Sequence, residues 1–221
     1  MNAFLAAMQL LTTLPMGRPR VSPNAAAWFP AVGAVIGALT IAVNEVLSLA
    51  GRPIEMALIL LLWACLTGAL HEDGLADTFD AFGGGRTRED ILRIMKDSRI
   101  GTYGALALVF SVLIRWNSMV LIPGGRIAAV LLASQIVPRA GMVVLARMAG
   151  SAGEGGMGGA FARSVARWHV AIALVFAAPM LPLLACLSRY FKRRIGGVTG
   201  DCLGAANQLQ EIAILLAGAC L

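Results

Sequence analysis

Charged side chains are scarce in this chain of 221 residues. Asp, Glu, Lys and Arg together make up 14% of it, whereas hydrophobic residues make up 58% and the mean hydropathy is +0.78. Soluble domains carry about 25% charged residues, so the composition excludes a water-soluble globule. Because a spanning helix needs about 20 apolar residues, the length accommodates roughly six or seven spans. We therefore expect an all-α, polytopic integral membrane protein with a single domain over residues 1–221.

Features that mark several other protein classes are missing. The four cysteines form no CxxC pair, so neither a disulfide framework nor a zinc site is predicted. The 18 basic residues are dispersed between apolar runs. This dispersal argues against nucleic acid as a partner and favours orientation in a membrane. The glycine run at residues 83–85 lacks the Gly-Lys-Ser/Thr ending of a Walker A loop, which argues against an ATPase.

Long apolar runs predict where the chain crosses the membrane. An additional N-terminal helix over residues 3–14 is too short to cross, and we expect it to lie in the interface or to pack as a half-span. The predicted crossings are residues 30–50, 54–70, 104–122, 127–148, 168–187 and 203–221.

The basic loops conflict with six simple crossings. Residues 72–102 and 189–202 are both rich in Lys and Arg, yet six crossings would place them on opposite faces, against the positive-inside rule. The fourth run carries Pro138 and Arg139 at its centre, and a central arginine facing lipid costs about 2.5 to 3.5 kcal/mol. We therefore predict that this run is broken near Pro138, which would return both loops to the cytoplasm.

Acidic residues are concentrated in one short segment. Seven of the 12 fall between Glu72 and Asp97. Asp73, Asp77 and Asp80 are spaced to share one face of a helix, where like charges repel each other. One interpretation is a solvated helix end paired with nearby arginines. The other, which we favour because ionisable groups at membrane depth are usually functional, is a Mg²⁺ site completed by water and substrate phosphates.

Three more residues are candidates for the same chemistry. Asp97, just before a Gly-Thr-Tyr-Gly turn, is a fourth candidate ligand. Asp201 opens the last apolar run and is either a helix cap or a functional carboxylate. His71 is a metal ligand, an acid–base group or a hydrogen-bonded boundary residue, and spacing does not choose among these.

Buried charges within the runs suggest two classes of function. Glu211 lies deep in the last run, so we expect it to face the interior and to pair with Arg115 or Arg139. Carboxylates that hold Mg²⁺, with Arg and Lys neutralising a diphosphate, would support in-line attack by an alcohol. A transporter is the alternative, because buried charges in broken helices also mark solute pathways. The acidic cluster at a span end and the lack of a visible repeat favour the enzyme.

Three ordered motifs stand out in the chain: HEDGLADTFD at 71–80, IMKDSRIGTYG at 94–104 and TGDCLGA at 199–205. They resemble the signature blocks of the cobalamin synthase family. Two shorter segments, residues 11–15 and Phe29-Pro30-x-x-Gly33, resemble its N-terminal blocks, so the resemblance covers nearly the whole chain.

This resemblance implies a Mg²⁺-dependent adenosylcobinamide-GDP ribazoletransferase of the bacterial cytoplasmic membrane, with its site facing the cytoplasm. The 3′-hydroxyl of α-ribazole, or of its 5′-phosphate, would attack the cobinamide-linked phosphorus, and GMP would leave. Membrane lipid is an expected partner, and a homo-oligomer is left open. The expected metal ligands are Asp73, Asp77 and Asp80; the expected catalytic residues are Asp77, Asp97, Asp201 and His71; the expected substrate contacts are Lys96, Arg99 and Arg139.

Overall fold

The computed structural model describes residues 2–18, 22–153 and 157–221, and the elements there are helical. This confirms the all-α prediction. Short 3₁₀ helices flank α2 and separate α9 from α10. The eleven α-helices of the described residues are α1 Asn2–Leu11, α2 Phe29–Leu47, α3 Arg52–Thr67, α4 Leu70–Gly84, α5 Arg88–Ile94, α6 Thr102–Leu121, α7 Gly124–Ala149, α8 Met157–Ser164, α9 Arg167–Ala177, α10 Leu181–Ile195 and α11 Gly200–Cys220.

By length and composition, four helical segments of the described chain can cross a membrane. They are Ala25–Ala50, α6, α7 and Arg167–Ile195. The pair α3 and α4 makes a fifth if these two helices, bent by 89° from each other, form one broken span. The helix α11 is outside this set and carries buried polar residues along its middle. By length and composition the structure thus supports a multi-pass protein with four or five candidate spans, and it does not confirm the six or seven spans expected.

Helix α7 is packed closely against α2 through glycines. A Cβ atom on Gly33 would overlap the backbone carbonyl of Gln135, and one on Gly37 would lie 2.8 Å from Leu132 Cδ1. Small residues let helix backbones approach closely within a membrane, where van der Waals packing drives association. The two glycines therefore fix α2 on α7.

The substitution Gly33→Ala tests this close approach. We expect it to lower the free energy of unfolding by about 1 to 3 kcal/mol, because the added methyl group forces the two backbones apart. Unfolding of the purified protein in detergent, followed by circular dichroism, measures the change. Gly125→Ala is the matched control, since a Cβ there meets nothing within 4 Å. Equal stability of the two variants would contradict the packing described.

The predicted break near Pro138 is wrong. Helix α7 continues through Pro138 from Gly124 to Ala149. Proline removes only one helix hydrogen bond, and surrounding helices make such a residue tolerable within a span; α2, α9 and α11 all pack on α7. Arg139 is 1% exposed and donates from Nη1 to the carbonyl of Gln135 at 3.1 Å. It faces protein, so the cost of lipid exposure does not arise.

The chain bends instead between α3 and α4. Gly68 and Ala69 both adopt positive φ, at 63° and 55°, and end α3 in a left-handed cap in which the Ala69 N–H donates to the carbonyl of Ala64 at 2.8 Å. Glycine adopts this conformation without strain. The turn sends α4, with its acidic residues, across the end of the bundle at 89° to α3.

The chain also reverses its direction between α9 and α10. Both ends of Arg167–Ile195 lie near the end of α7: Arg167 and Gly150 line a common cavity, and the N–H of Val198 donates to the carbonyl of Gly150 at 2.8 Å. A straight helix of 29 residues would separate its ends by about 43 Å. The segment therefore turns back at Ala178–Met180.

This reversal brings the two basic loops together. Arg88 donates from Nε to the carbonyl of Ile195 at 2.9 Å, and Arg194 donates from Nη2 to the carbonyl of Gly85 at 3.0 Å. The loops thus lie at one end of the bundle, as expected, but the reversal occurs in the fifth apolar run and not in the fourth.

Candidate active site

A cavity of about 550 Å³ opens at the end of the bundle that carries the basic loops. We call it the acidic cavity. Apolar residues from α1, α5, α7 and α11 form much of its wall. Its ionisable lining residues are His71, Asp73, Lys96 and Asp201.

Two glycines bring the acidic helix α4 against the start of α11. A Cβ atom on Gly74 would lie 2.9 Å from the carbonyl oxygen of Asp201, and one on Gly204 would lie 3.3 Å from the Gly74 Cα. Backbone contact at this point places Asp73 and Asp201 in one cavity. Asp77 is close enough to both, and to Asp80, for their charges to act on it. The predicted carboxylates of the first and third motifs therefore converge.

Asp80 is the member of the cluster whose carboxylate accepts backbone N–H groups. Its carboxylate accepts the N–H of Gly101 at 2.7 Å and the N–H of Gly104 at 2.8 Å. These groups belong to the N-cap and the first turn of α6, where the unpaired N–H groups and the helix dipole favour a negative charge. The start of α6 thus compensates the charge of Asp80 and fixes α4 to α6.

Asp201 is not the cap of α11. Thr199 is the cap, since its Oγ1 accepts the N–H of Cys202 at 3.2 Å. The Thr199 hydroxyl also lies 3.3 Å from Asp201 Oδ2. Asp201 lies in the first turn of α11 and lines the acidic cavity, so its functional role stays a prediction.

His71 is buried at the inner wall of the acidic cavity. Its side chain is 1% exposed, and neither ring nitrogen has a hydrogen-bond partner among the described residues. The described residues therefore offer no hydrogen-bond partner for the interpretation of His71 as a hydrogen-bonded boundary residue. A metal-ligand role and an acid–base role both stay open.

Asp97 and Arg99 pair with each other at the surface. Arg99 donates from Nε to Oδ1 of Asp97 at 3.0 Å and from Nη2 to Oδ2 at 2.7 Å. This bidentate contact lowers the pKa of Asp97 to about 2, chiefly through the hydrogen bonds from Arg99. Neither side chain lines the acidic cavity, whereas Lys96 does. The second motif is therefore split between the cavity wall and the surface.

A buried network of charges lies deeper in the bundle, behind α4. Arg115 Nη1 lies 2.8 Å from Glu211 Oε1 and 3.2 Å from Glu72 Oε1, so the predicted pairing of Glu211 is confirmed with Arg115 as the partner. Gln208 Nε2 donates to the same oxygen of Glu72 at 3.1 Å. Arg139 is close enough for Glu211 and Glu72 to act on its charge, but it does not line the acidic cavity.

Two parts of the cavity wall hold none of the predicted site residues. Leu10 and Leu11 of α1 line it, as does the segment from Ser151 to Gly153 after α7. Leu11 begins the segment 11–15 that resembles a family block, but its apolar side chain did not indicate a place in the site. The Ser151 segment reaches the cavity through its hydrogen bonds to Val198, a long-range pairing without a local sequence pattern.

The carboxylates fit a metal that is held jointly with substrate. Among the described residues no three His, Cys, Asp or Glu side chains form a ready-made metal site. Mg²⁺ is commonly bound through one or two carboxylates, with water and substrate phosphates as its other ligands. Asp73, Asp77 and Asp201 suit that mode, because their negative charges lie together beside an open cavity.

The fold and the acidic cavity define a helical, multi-pass membrane protein with a carboxylate-lined site at one end of its bundle. The sequence profile described as cobalamin-5-phosphate synthase matches residues 3–219. The chain belongs to this family, whose members act in cobalamin synthesis.

Curated relatives agree with this membership over nearly the full chain. A Pseudomonas putida KT2440 protein named adenosylcobinamide-GDP ribazoletransferase is 36% identical, with 98% of each chain covered. Proteins of the same name from Chlorobium chlorochromatii and Sinorhizobium medicae are 36% and 44% identical, covering 100% and 85% of this chain and 97% and 82% of their own. No solved structure matches the chain.

Proposed function

We propose that this chain transfers adenosylcobinamide phosphate from adenosylcobinamide-GDP to α-ribazole or α-ribazole 5′-phosphate in a Mg²⁺-dependent reaction that releases GMP. The relatives that match it end to end carry the name of this activity. The observation that supports the proposal is that Asp73 from α4 and Asp201 from α11 line one cavity, with Asp77 outside its lining but close enough for the charges of both to act on it.

Residues in and beside the acidic cavity have different roles in the proposed reaction. Asp73 and Asp77 would hold the metal, with Asp80 as the predicted third ligand, and bound Mg²⁺ would neutralise charge on the diphosphate. Lys96 binds the diphosphate from the cavity wall. His71 or Asp201 accepts the proton of the attacking 3′-hydroxyl, which bonds to the corrinoid-linked phosphorus as the bond from that phosphorus to the GMP oxygen breaks.

Three other predicted residues have weaker support from their positions. Asp97 and Arg99 would have to exchange their mutual pair for contacts to substrate. Arg139 lies behind the cavity and would act on substrate through its charge. We therefore assign diphosphate binding first to Lys96 and proton transfer first to His71 and Asp201.

The membrane arrangement fits a cytoplasmic reaction. The acidic cavity and both basic loops lie at the same end of the bundle. Since Lys and Arg are enriched in loops on the cytoplasmic side, we propose that the site faces the cytoplasm from the bacterial inner membrane, with lipid around the apolar helices.

The reaction is tested with the full chain purified into lipid nanodiscs. We expect GMP release from adenosylcobinamide-GDP only when α-ribazole or its 5′-phosphate is added, because the acceptor hydroxyl is the nucleophile. Correctly inserted protein that releases no GMP with either acceptor would refute the proposal. In proteoliposomes, corrinoid flux without product would favour a transporter instead.

A further inference from the structure

Apolar residues from four helices line the acidic cavity beside its carboxylates. Leu10 and Leu11 come from the end of α1, Phe29 from the start of α2, Leu70 from the start of α4 and Phe161 from α8. We call these five residues the apolar wall. Their side chains neither donate nor accept hydrogen bonds, so the apolar wall suits a ligand group with few polar atoms.

Packing between the helices joins these residues into one surface. Helix α1 packs on α2, and the N–H of Thr13 donates to the carbonyl of Leu66 at 2.8 Å, which ties the end of α1 to the turn before Leu70. The rings of Phe29 and Phe161 are stacked, with centroids 4.8 Å apart and an interplanar angle of 8°. Phe29 is 1% exposed and Phe161 is partly buried, so Phe29 backs and orients the more accessible ring of Phe161.

The apolar wall lies next to the residues assigned to proton transfer. A Cβ atom on Gly158 would overlap the backbone nitrogen of Gly200, so α8 touches the chain directly before Asp201. Phe161 follows Gly158 by one helical turn. At the other end of the wall, Leu70 precedes His71 in α4. A group bound on the apolar wall is therefore held beside the attacking hydroxyl.

The chemistry of the substrates identifies this group as the base of the acceptor. In α-ribazole only the ribose separates the 3′-hydroxyl from the base, a flat dimethylbenzimidazole with a single ring-nitrogen acceptor. The guanine of the donor is separated from the reacting phosphorus by a second phosphate and a ribose. Its edges also carry several hydrogen-bond donors and acceptors, which the apolar wall would leave unpaired at a cost in free energy. The cavity, of about 550 Å³, has the size of a small-molecule pocket, whereas the adenosylated corrin is much bulkier than the base.

We propose that the apolar wall binds the base of the acceptor, with Phe161 as the residue that contacts it and selects an apolar ring system over a purine. The inference rests on the proposed function and adds to it the residues that recognise the base. Aromatic rings attract each other in stacked and in edge-to-face arrangements, so the stacked pair of Phe29 and Phe161 receives a further ring in either arrangement.

The variant Phe161→Ala tests the proposal with the full chain in nanodiscs. We expect its KM for the acceptor to rise about 10-fold, as loss of a ring–ring contact predicts, while its KM for adenosylcobinamide-GDP stays near the wild-type value. Phe161→Tyr keeps the ring and should restore acceptor binding. Phe110→Ala, which removes an exposed phenylalanine of α6, is the matched control.

Two further measurements address the base itself. Calorimetric titration with α-ribazole, without donor, should show the same weakening in Phe161→Ala, and free 5,6-dimethylbenzimidazole should compete with the acceptor in the wild type. We also expect the wild-type KM to be about 10-fold higher for an acceptor that carries adenine, since its polar edge meets no partner on the wall. Phe161→Gln supplies a polar partner and should narrow this gap.

Several outcomes would overturn this assignment. A rise in the KM for adenosylcobinamide-GDP alone would place guanine or corrin on the apolar wall, and unchanged KM values for both substrates would leave the wall without a ligand. If Phe161→Ala does not fold, Leu10→Asn changes the partly buried leucine from α1, and the same selective rise in the KM for the acceptor is expected.

The base site and the proposed function fail in different ways. GMP release with wild-type KM values in both Phe161→Ala and Leu10→Asn would refute the base site and keep the proposed function. Binding of α-ribazole that depends on Phe161, without any GMP release by the wild type, would refute the proposed function and support the base site.

Discussion

Replacing Asp77 by Asn is expected to lower the rate of GMP release by about 1000-fold or more. Asp77 lies where the charges of Asp73, Asp80 and Asp201 all act on it, and an amide cannot replace a carboxylate as a Mg²⁺ ligand without loss of charge. Metal ions contribute several kcal/mol of transition-state stabilisation in such sites, and a 1000-fold loss corresponds to about 4 kcal/mol. Initial rates at saturating substrate and Mg²⁺ measure the effect.

Glu89→Gln is the control for this variant. Glu89 is an exposed carboxylate at the start of α5, so the same change from carboxylate to amide should leave the rate within about twofold of wild type. Size-exclusion profiles and unfolding midpoints show whether both variants fold and insert. Full activity of the Asp77→Asn variant would contradict the hypothesis that this acidic cluster binds Mg²⁺.

The second large effect is expected in stability, from Arg115→Met. Arg115 is 2% exposed and pairs with both Glu72 and Glu211. Its removal would leave two carboxylates without their shared partner inside the bundle, and breaking a buried ion pair from one side costs about 3 to 5 kcal/mol. We expect the free energy of unfolding to fall by about that amount, measured by detergent-induced unfolding.

A further variant separates lost charge compensation from lost packing. Adding Glu72→Gln and Glu211→Gln to Arg115→Met removes the buried negative charges, so we expect much of the stability to return. Arg126→Met supplies the exposed counterpart, with a change within about 0.5 kcal/mol. If the Arg115→Met variant were as stable as Arg126→Met, another group would have to compensate the charges of Glu72 and Glu211. Arg139 is the candidate for that group, because the charges of both carboxylates act on it.

Local chemistry made parts of this arrangement predictable from sequence. Glu211 had to pair, because a carboxylate in the middle of an apolar helix cannot reach water, and the structure pairs it with Arg115. The spacing of Asp73 and Asp77 likewise predicted that their carboxylates share one helix face, and α4 spans both, with the charge of Asp73 acting on Asp77. In both cases residues within one helix were enough for the prediction: the cost of burying an unpaired carboxylate for Glu211, and helical spacing for Asp73 and Asp77.

Other parts depended on contacts that no local pattern encodes. Pro138 gave a clear signal for a break, yet packing from neighbouring helices keeps α7 continuous. The actual reversal at Ala178–Met180 also carries a proline, so proline alone could not show which helix turns back. The approach of Gly74 to Asp201 joins residues more than 120 positions apart, and it becomes visible only when α4 and α11 are packed.

The central claim is that carboxylates from α4 and α11 act with Mg²⁺ on adenosylcobinamide-GDP. Its most direct test is GMP release by the nanodisc-bound chain in the presence of α-ribazole 5′-phosphate, with divalent cations first chelated and Mg²⁺ then restored. We predict no release after chelation, and one GMP for each corrinoid product once Mg²⁺ is returned. Release that continues at the full rate in the chelated sample, or GMP formed without a corrinoid product, would contradict the account.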